Sequence, residues 1–207
     1  MKRIRPRYAV AGVAALLISI GLGAPLWQYF PGYNLRIVEP GVFYGARQMG
    51  GPAMERYIDA LGLKTVLNMR GENAGTPWYD DEVAACRKKG IAHVDFGWSR
   101  NDIPSPDSLR AYLDVLDKGQ PPFLAHCQGG THRTGLAAAV FLLNRGRSIP
   151  EARGEFGPMF KDAPIGDVVA LYEGSPLLFR AWVEQEYPAK YAAWEAQKKD
   201  REKAAGK

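Results

Sequence analysis

Residues 123–143 read FLAHCQGGTHRTGLAAAVFLL. An apolar run of strand length, PPFLAH (121–126), enters a glycine-bearing turn, and an Ala-rich apolar helix follows over 134–144. A helix that starts right after such a turn aims its free N–H groups, and the positive end of its dipole, into the turn. Gly129 and Gly130 let successive amides converge into a nest for an anion, and Arg133 at its end suits a phosphate, which a guanidinium grips through two oxygens. Cys127 sits at the base of that nest. The same amides and dipole stabilise its thiolate, which makes it a nucleophile near neutral pH. One of only two cysteines and two of three histidines fall within these residues.

Outward from this stretch, the pattern alternates strands and helices. LRIVEPGVFYGAR (35–47) reads as two short strands about a Pro40-Gly41 turn, 52–61 as a helix ending at Gly62, and LKTVLNM (63–69) as a buried strand. A helix over 79–89, with Val83, Ala84 and Cys86 as its apolar side, closes at Gly90. A strand over 91–96, an irregular loop over 98–106 and a helix over 107–116 lead back to 121–126. Strands separated by helices of this length predict an α/β fold with a mainly parallel central sheet flanked by helices. Residues 150–187 read as helices broken by Gly and Pro, and the charged end WEAQKKDREKAAGK as a frayed helix or disordered.

The formal charge of +5 belongs to the ends: residues 1–7 hold four basic groups, and the tail from Lys198 five basic against two acidic. The middle, with 18 basic and 20 acidic residues, has no basic stripe, which excludes nucleic acid as a partner. From Ala9 to Leu26 there is no charge, and aromatic residues flank the run, so 8–30 is expected to be one N-terminal transmembrane signal-anchor, with a cleaved signal peptide as the competing reading. The basic residues 1–7 would then be cytoplasmic, and a domain over 31–190 with a tail over 191–207 would face the periplasm or exterior from the inner membrane. Two cysteines make no disulfide framework, and no cluster has metal-ligand spacing.

The order Cys, five residues, Arg, Thr-Gly resembles the signature of the cysteine-dependent protein tyrosine and dual-specificity phosphatases. The match lies on His126, Cys127, Gly130, Arg133, Thr134 and Gly135. It extends over about 35–160, through the strand ending LNMRGE, the WYDDE helix, the Pro-rich loop before a helix and EARGEF, and is closest in style to compact bacterial dual-specificity members. The resemblance implies a protein tyrosine phosphatase-like fold and a phosphoric monoester hydrolase working through a cysteinyl-phosphate. It implies Cys127 as nucleophile, Arg133 as phosphate ligand, the backbone of Gln128, Gly129, Gly130, Thr131 and His132 as cradle, and Thr134 as hydrogen-bond donor to the thiolate. His126 would orient the loop from behind. No metal or cofactor is implied.

The family supplies the leaving-group proton from an Asp upstream, for which Asp95, Asp102 and Asp107 are candidates. Asp102 is preferred because it sits in the irregular loop with no capping role. Asp107 opens a helix, where an acidic residue is expected on dipole grounds, and Asp95 lies in a strand. The loop lacks the Lys frequent in phosphoinositide-acting members. Trp78, Tyr79 and Trp98 suit either a phosphotyrosine ring or the core, and His132 would add a pH-dependent charge at the rim. Three readings follow: a membrane-anchored phosphatase of phosphotyrosine, and of phosphoserine or phosphothreonine, in proteins; a membrane lipid-phosphate phosphatase; and a phosphate-binding module without turnover.

Overall fold

The computed structural model describes residues 27–204 and residue 206. Five strands form one sheet: β1 (Arg36–Glu39), β2 (Phe43–Arg47), β3 (Thr65–Asn68), β4 (Ala92–Asp95) and β5 (Phe123–Cys127), in the order β1-β2-β5-β3-β4. β1 and β2 are an antiparallel hairpin, while the β2–β5, β5–β3 and β3–β4 ladders are parallel. β5 is the central strand and every residue in it is buried.

Because side chains alternate across a strand, β5 serves two cores. Phe123, Ala125 and Cys127 face one side, where α3 (Pro106–Lys118), α4 (His132–Asn144), α6 (Asp167–Tyr172), α7 (Phe179–Gln185) and α8 (Tyr187–Ala204) pack, while the short α5 (Ile149–Gly154) follows α4. Leu124 joins the other core with Ala53, Met54 and Ile58 of α1 (Gly51–Leu61) and Ala85 and Cys86 of α2 (Pro77–Lys89). Cys86 and Cys127 are both free and lie in opposite cores, so no bridge joins them. Burial, then the charge of Glu82, pushes the Cys86 thiol up to about 12, which leaves it an inert apolar residue. Residues 136–143 of α4 are buried without a break, which is why that helix reads as apolar on every face.

One expectation is corrected. The fold is mixed α/β with a five-strand sheet flanked by helices, but among the described residues no helix is long and apolar enough to cross a membrane. Most of the expected span at 8–30 lies outside the described residues; the four residues of it that are described belong to the domain. Tyr29 and Phe30 lie 5.2 and 5.8 Å from the Arg47 guanidinium, and the Gln28 carbonyl accepts from the Asn34 amide at 2.8 Å. Tyr29 and Phe30, two of the aromatic residues that flank the expected span, thus cover the end of β2, and the membrane contact assigned to them is unsupported. Of the two readings of the charged end, the helical one is found: α8 runs to Ala204, pinned by the buried Trp194, whose Nε1 donates to Asp167 at 2.8 Å.

Candidate active site

β5 ends on Cys127 and α4 begins at His132, two residues earlier than the apolar pattern shows. The turn between them is therefore only four residues long and is closed by the helix N-terminus. Gly130 has φ +71°, and a Cβ there would stand 2.7 Å from the Arg47 amide nitrogen, so both the conformation and the close approach require glycine. The Cys127 carbonyl accepts from the Gln48 amide at 2.7 Å, and the Gly129 carbonyl from Asn34 Nδ2 at 3.1 Å. The loop is tied to β2 and to the segment before β1.

Cys127 is 3 % exposed. Burial alone would push its thiol up, but the Thr134 hydroxyl and amide, the charge of Arg133 and the Gly130 amide together bring it below the ordinary thiol value. The Thr134 hydroxyl also lies 3.3 Å from the Ala46 carbonyl. The Arg133 guanidinium is half-buried and has no carboxylate partner among the described residues; its one contact, to the Trp98 carbonyl, is 3.5 Å long. Such a cation is free to take an anion. Gln128 is exposed, Thr131 is buried, and His132 packs on Phe160 with ring centroids 5.2 Å apart. Burial, and then the charges of Arg100 and Arg133, lower His132, so it loses its proton below the ordinary imidazole value rather than carrying charge at the rim.

His126 points to the opposite face, as adjacent residues of a strand must. Its Nε2 lies 2.9 Å from Glu82 Oε1, and the same oxygen lies 2.8 Å from His93 Nε2, while Glu82 Oε2 accepts from Gln48 Nε2 at 2.7 Å. Glu82 and His126 are fully buried. Burial alone would raise the Glu82 carboxyl, but the charge and hydrogen bond of His126, with those of His93, hold it down to about 2. Neither Glu82, His93 nor Gln48 was singled out from the sequence as part of the site. The signal lay in α2: its buried face is Tyr79, Glu82, Ala85 and Cys86, not Val83 and Ala84, so an acid occupies a core position at helical spacing.

The three acid candidates are differently engaged. Asp95 accepts from Asn68 Nδ2 and from the Tyr79 hydroxyl, each at 2.7 Å, and so braces β3 and α2. Asp107 is exposed in the first turn of α3 and pairs with Arg110 at 2.8 Å. Asp102 pairs with Lys198 of α8, and its loop reaches the cradle through the Trp98 carbonyl. Tyr79 and Trp98 are core residues, Trp98 donating to Ser108 Oγ at 2.9 Å, and Trp78 lies under Arg70.

A family model described as "Tyrosine phosphatase family" matches residues 99–149, the stretch from the acid loop through α4. Among curated proteins, inositol diphosphatase DSP4 of Arabidopsis thaliana is 31% identical over 112 residues, covering 52% of this chain and 54% of that protein. Inositol diphosphatase DSP5 of the same plant is 29% identical over 112 residues, covering 51% of each. The chain thus spans about half the length of the curated relatives it matches. The core catalytic domain of the PP-IP phosphatase SIW14 from S. cerevisiae superposes with TM-score 0.58 at 20% identity, over 74% of this chain and 93% of that one. TpbA of P. aeruginosa, in complex with pTyr, gives TM-score 0.54 at 19% identity, over 75% and 93%. The fold is that of these solved structures, and the stretch matched by the family model contains Cys127 and Arg133. These findings bear out the resemblance of the chain to the cysteine-dependent tyrosine and dual-specificity phosphatases.

Proposed function

We propose that the protein is a cysteine-dependent phosphomonoesterase that acts on phosphotyrosine, and on phosphoserine or phosphothreonine. The observation that carries this is a buried Cys127 whose thiolate is favoured by the Thr134 and Gly130 donors and by the charge of Arg133, which has no carboxylate partner among the described residues. Such a group has no structural task to perform. The thiolate attacks phosphorus, an S–P bond forms as the P–O ester bond breaks, and the alcohol leaves with a proton from Asp102. Water then attacks the cysteinyl-phosphate, Asp102 takes its proton, and the S–P bond breaks to return the thiolate, which the Thr134 hydroxyl steadies. The cradle amides and Arg133 hold the equatorial oxygens in both steps. Asp102 has to exchange its Lys198 partner for the leaving oxygen.

A relative crystallised with pTyr supports the aryl phosphate as first substrate, and the names of the curated relatives add phosphorylated inositols to the panel. The test is hydrolysis of aryl phosphate, phosphotyrosyl peptide and phosphorylated inositols by the full chain. Cys127→Ser is expected to abolish turnover while retaining phosphate binding. No turnover by the wild type between about pH 5 and 8, where a lowered thiol and a carboxylic acid act together, would leave only a phosphate-binding module.

A further inference from the structure

Among the described residues Glu82 is the only carboxylate buried in the core, and the catalytic scheme gives it no task. Taking a charge out of water is costly, so the bonds it makes indicate its role. From α2, its Oε1 meets the Nε2 atoms of His126 on β5 and His93 on β4, at 2.9 and 2.8 Å. Its Oε2 accepts from Nε2 of Gln48, the residue after β2, at 2.7 Å.

Two of these partners lead to Cys127. His126 precedes it, and among the described residues Glu82 is the only anchor of that ring, whose Nδ1 is buried without a partner. Gln48 reaches Cys127 itself. Its backbone amide donates to the Cys127 carbonyl at 2.7 Å, while its side-chain amide donates to Glu82 and, at 3.1 Å, to the Met49 carbonyl. Arg70 Nη1 donates to Gln48 Oε1 at 3.3 Å, which fixes the end of that amide that faces the carboxylate. The route from the buried charge to the nucleophile's own backbone is thus one residue long, with a 2.7 Å bond at each end. The anion donors are held by other means: the Gly129 carbonyl by Asn34 Nδ2, and Arg133 and Thr134 by the first turn of α4.

We propose that Gln48 and Glu82 are positioning residues for the nucleophile. The carboxylate holds the Gln48 side chain and Gln48 holds the Cys127 carbonyl, so that Sγ is aimed at the phosphorus of a phosphate seated in the nest. This deepens the phosphatase reading and rests on it for the reaction that Cys127 performs.

Gln48→Met keeps the length of the side chain and removes both of its polar ends. Glu82→Gln keeps an oxygen for the histidines but sets an NH2 group against Gln48 Nε2. Each is expected to lower kcat for aryl phosphate about tenfold, with the inhibition constant of orthophosphate within about twofold of the wild type. The double variant should lose no more than either single one, because both cut the same route. Alkylation of Cys127 by iodoacetate, in which the thiolate displaces iodide, needs no turnover, and the Cys86 thiol, pushed up to about 12, does not compete. It should slow by a similar factor and stay slow on the alkaline plateau, where Cys127 is wholly thiolate, with orthophosphate protecting as well as in the wild type. Unchanged kcat and alkylation in both variants overturn the proposal. So does a deficit that vanishes on the plateau, which would be ionisation rather than aim, or a matching loss of orthophosphate affinity, which would be collapse of the loop. A double variant that multiplies the two losses overturns it as well. A Gln48→Met chain that does not fold leaves Glu82→Gln to decide on the same readouts. If the wild type hydrolyses no phosphomonoester, the phosphatase reading fails, while the alkylation rates still decide the positioning role.

Discussion

The nucleophile loop and the loop that carries the candidate acid are held by opposite means. Residues 127–133 are fixed by backbone: the end of a fully buried strand, the start of a helix, a positive-φ glycine against β2, and amide–carbonyl bonds to neighbouring chain. Residues 97–105 are fixed by remote groups. The Tyr187 hydroxyl donates to the Pro104 carbonyl at 2.6 Å, the Ile165 amide to the Arg100 carbonyl at 3.3 Å, and Lys198 pairs with Asp102. The cradle is therefore set by backbone packed against the neighbouring strand, and the candidate acid's position by side chains from the C-terminal third of the chain. A preformed anion nest favours rate through preorganisation, whereas a loop held by a few side-chain bonds is free to exchange partners during turnover.

The comparison breaks most visibly at the acid. Asp102→Asn is expected to lower kcat for an alkyl phosphate by about 10²–10⁴, the usual weight of a general acid, and to change little for an aryl phosphate with a good leaving group. Equal losses on both substrates would remove Asp102 from the role. In the other loop, Gly130→Ala forces a Cβ into the Arg47 and Ala46 backbone. Displacing the nest by about 1 Å should cost on the order of 10² in kcat/KM for every substrate alike, whatever the leaving group. A leaving-group-dependent effect of Gly130→Ala would show that the two loops are not separable.

Behind the cradle, Glu82→Ala should destabilise the fold by about 1–3 kcal/mol, because it leaves the His126 and Gln48 side chains without the buried carboxylate they bond to, and urea unfolding reads it directly. The Glu82 carboxyl is lower in the folded chain than the ordinary value near 4.3. Its contribution to stability is thus complete above that value and lost as pH falls toward about 2. Wild-type stability should fall with acid over that window, and Glu82→Gln should flatten the slope.

The contrast between the loops is also the contrast between what the sequence shows and what it hides. Strand, nest and helix are contiguous, so FLAHCQGGTHRTG carries Cys127, Arg133 and Thr134 in a pattern that local rules read. The order of elements reads equally well, because apolar periodicity is local. Glu82, Gln48 and Arg70 join the site only through the sheet, which sets β2 and β3 on either side of β5. A lone Glu in α2 or an Arg after β3 looks like a surface charge until that pairing is known. Residues 27–30 mislead for the same reason: an aromatic cluster has the same composition beside a membrane and beside Arg47.

Within the cradle, Thr134→Ala removes a donor that lowers the Cys127 thiol. The acid limb of kcat/KM for aryl phosphate, set by thiolate formation, should move to higher pH, with the plateau reduced less than by Gly130→Ala. A limb that stays in place would assign the lowering to Arg133 and the amides alone.

The smallest effect tests the tether. Lys198 and Asp102 are both partly exposed, at 31% and 36% of their side chains, so water and salt weaken the pair and little stability rests on it. Its effect should appear as a loop equilibrium. While the pair is formed, the Asp102 carboxylate is directed to α8, and an acid must leave that partner to reach a leaving oxygen. Lys198→Ala should then raise kcat on alkyl phosphates by about fivefold or less at low ionic strength, with no gain on an aryl phosphate, whose departure needs no proton. Added salt should raise the wild type toward the variant and leave the variant flat, because screening does the work of the substitution. A fall in kcat with Lys198→Ala would reverse the inference: α8 would then be presenting the acid rather than retaining it.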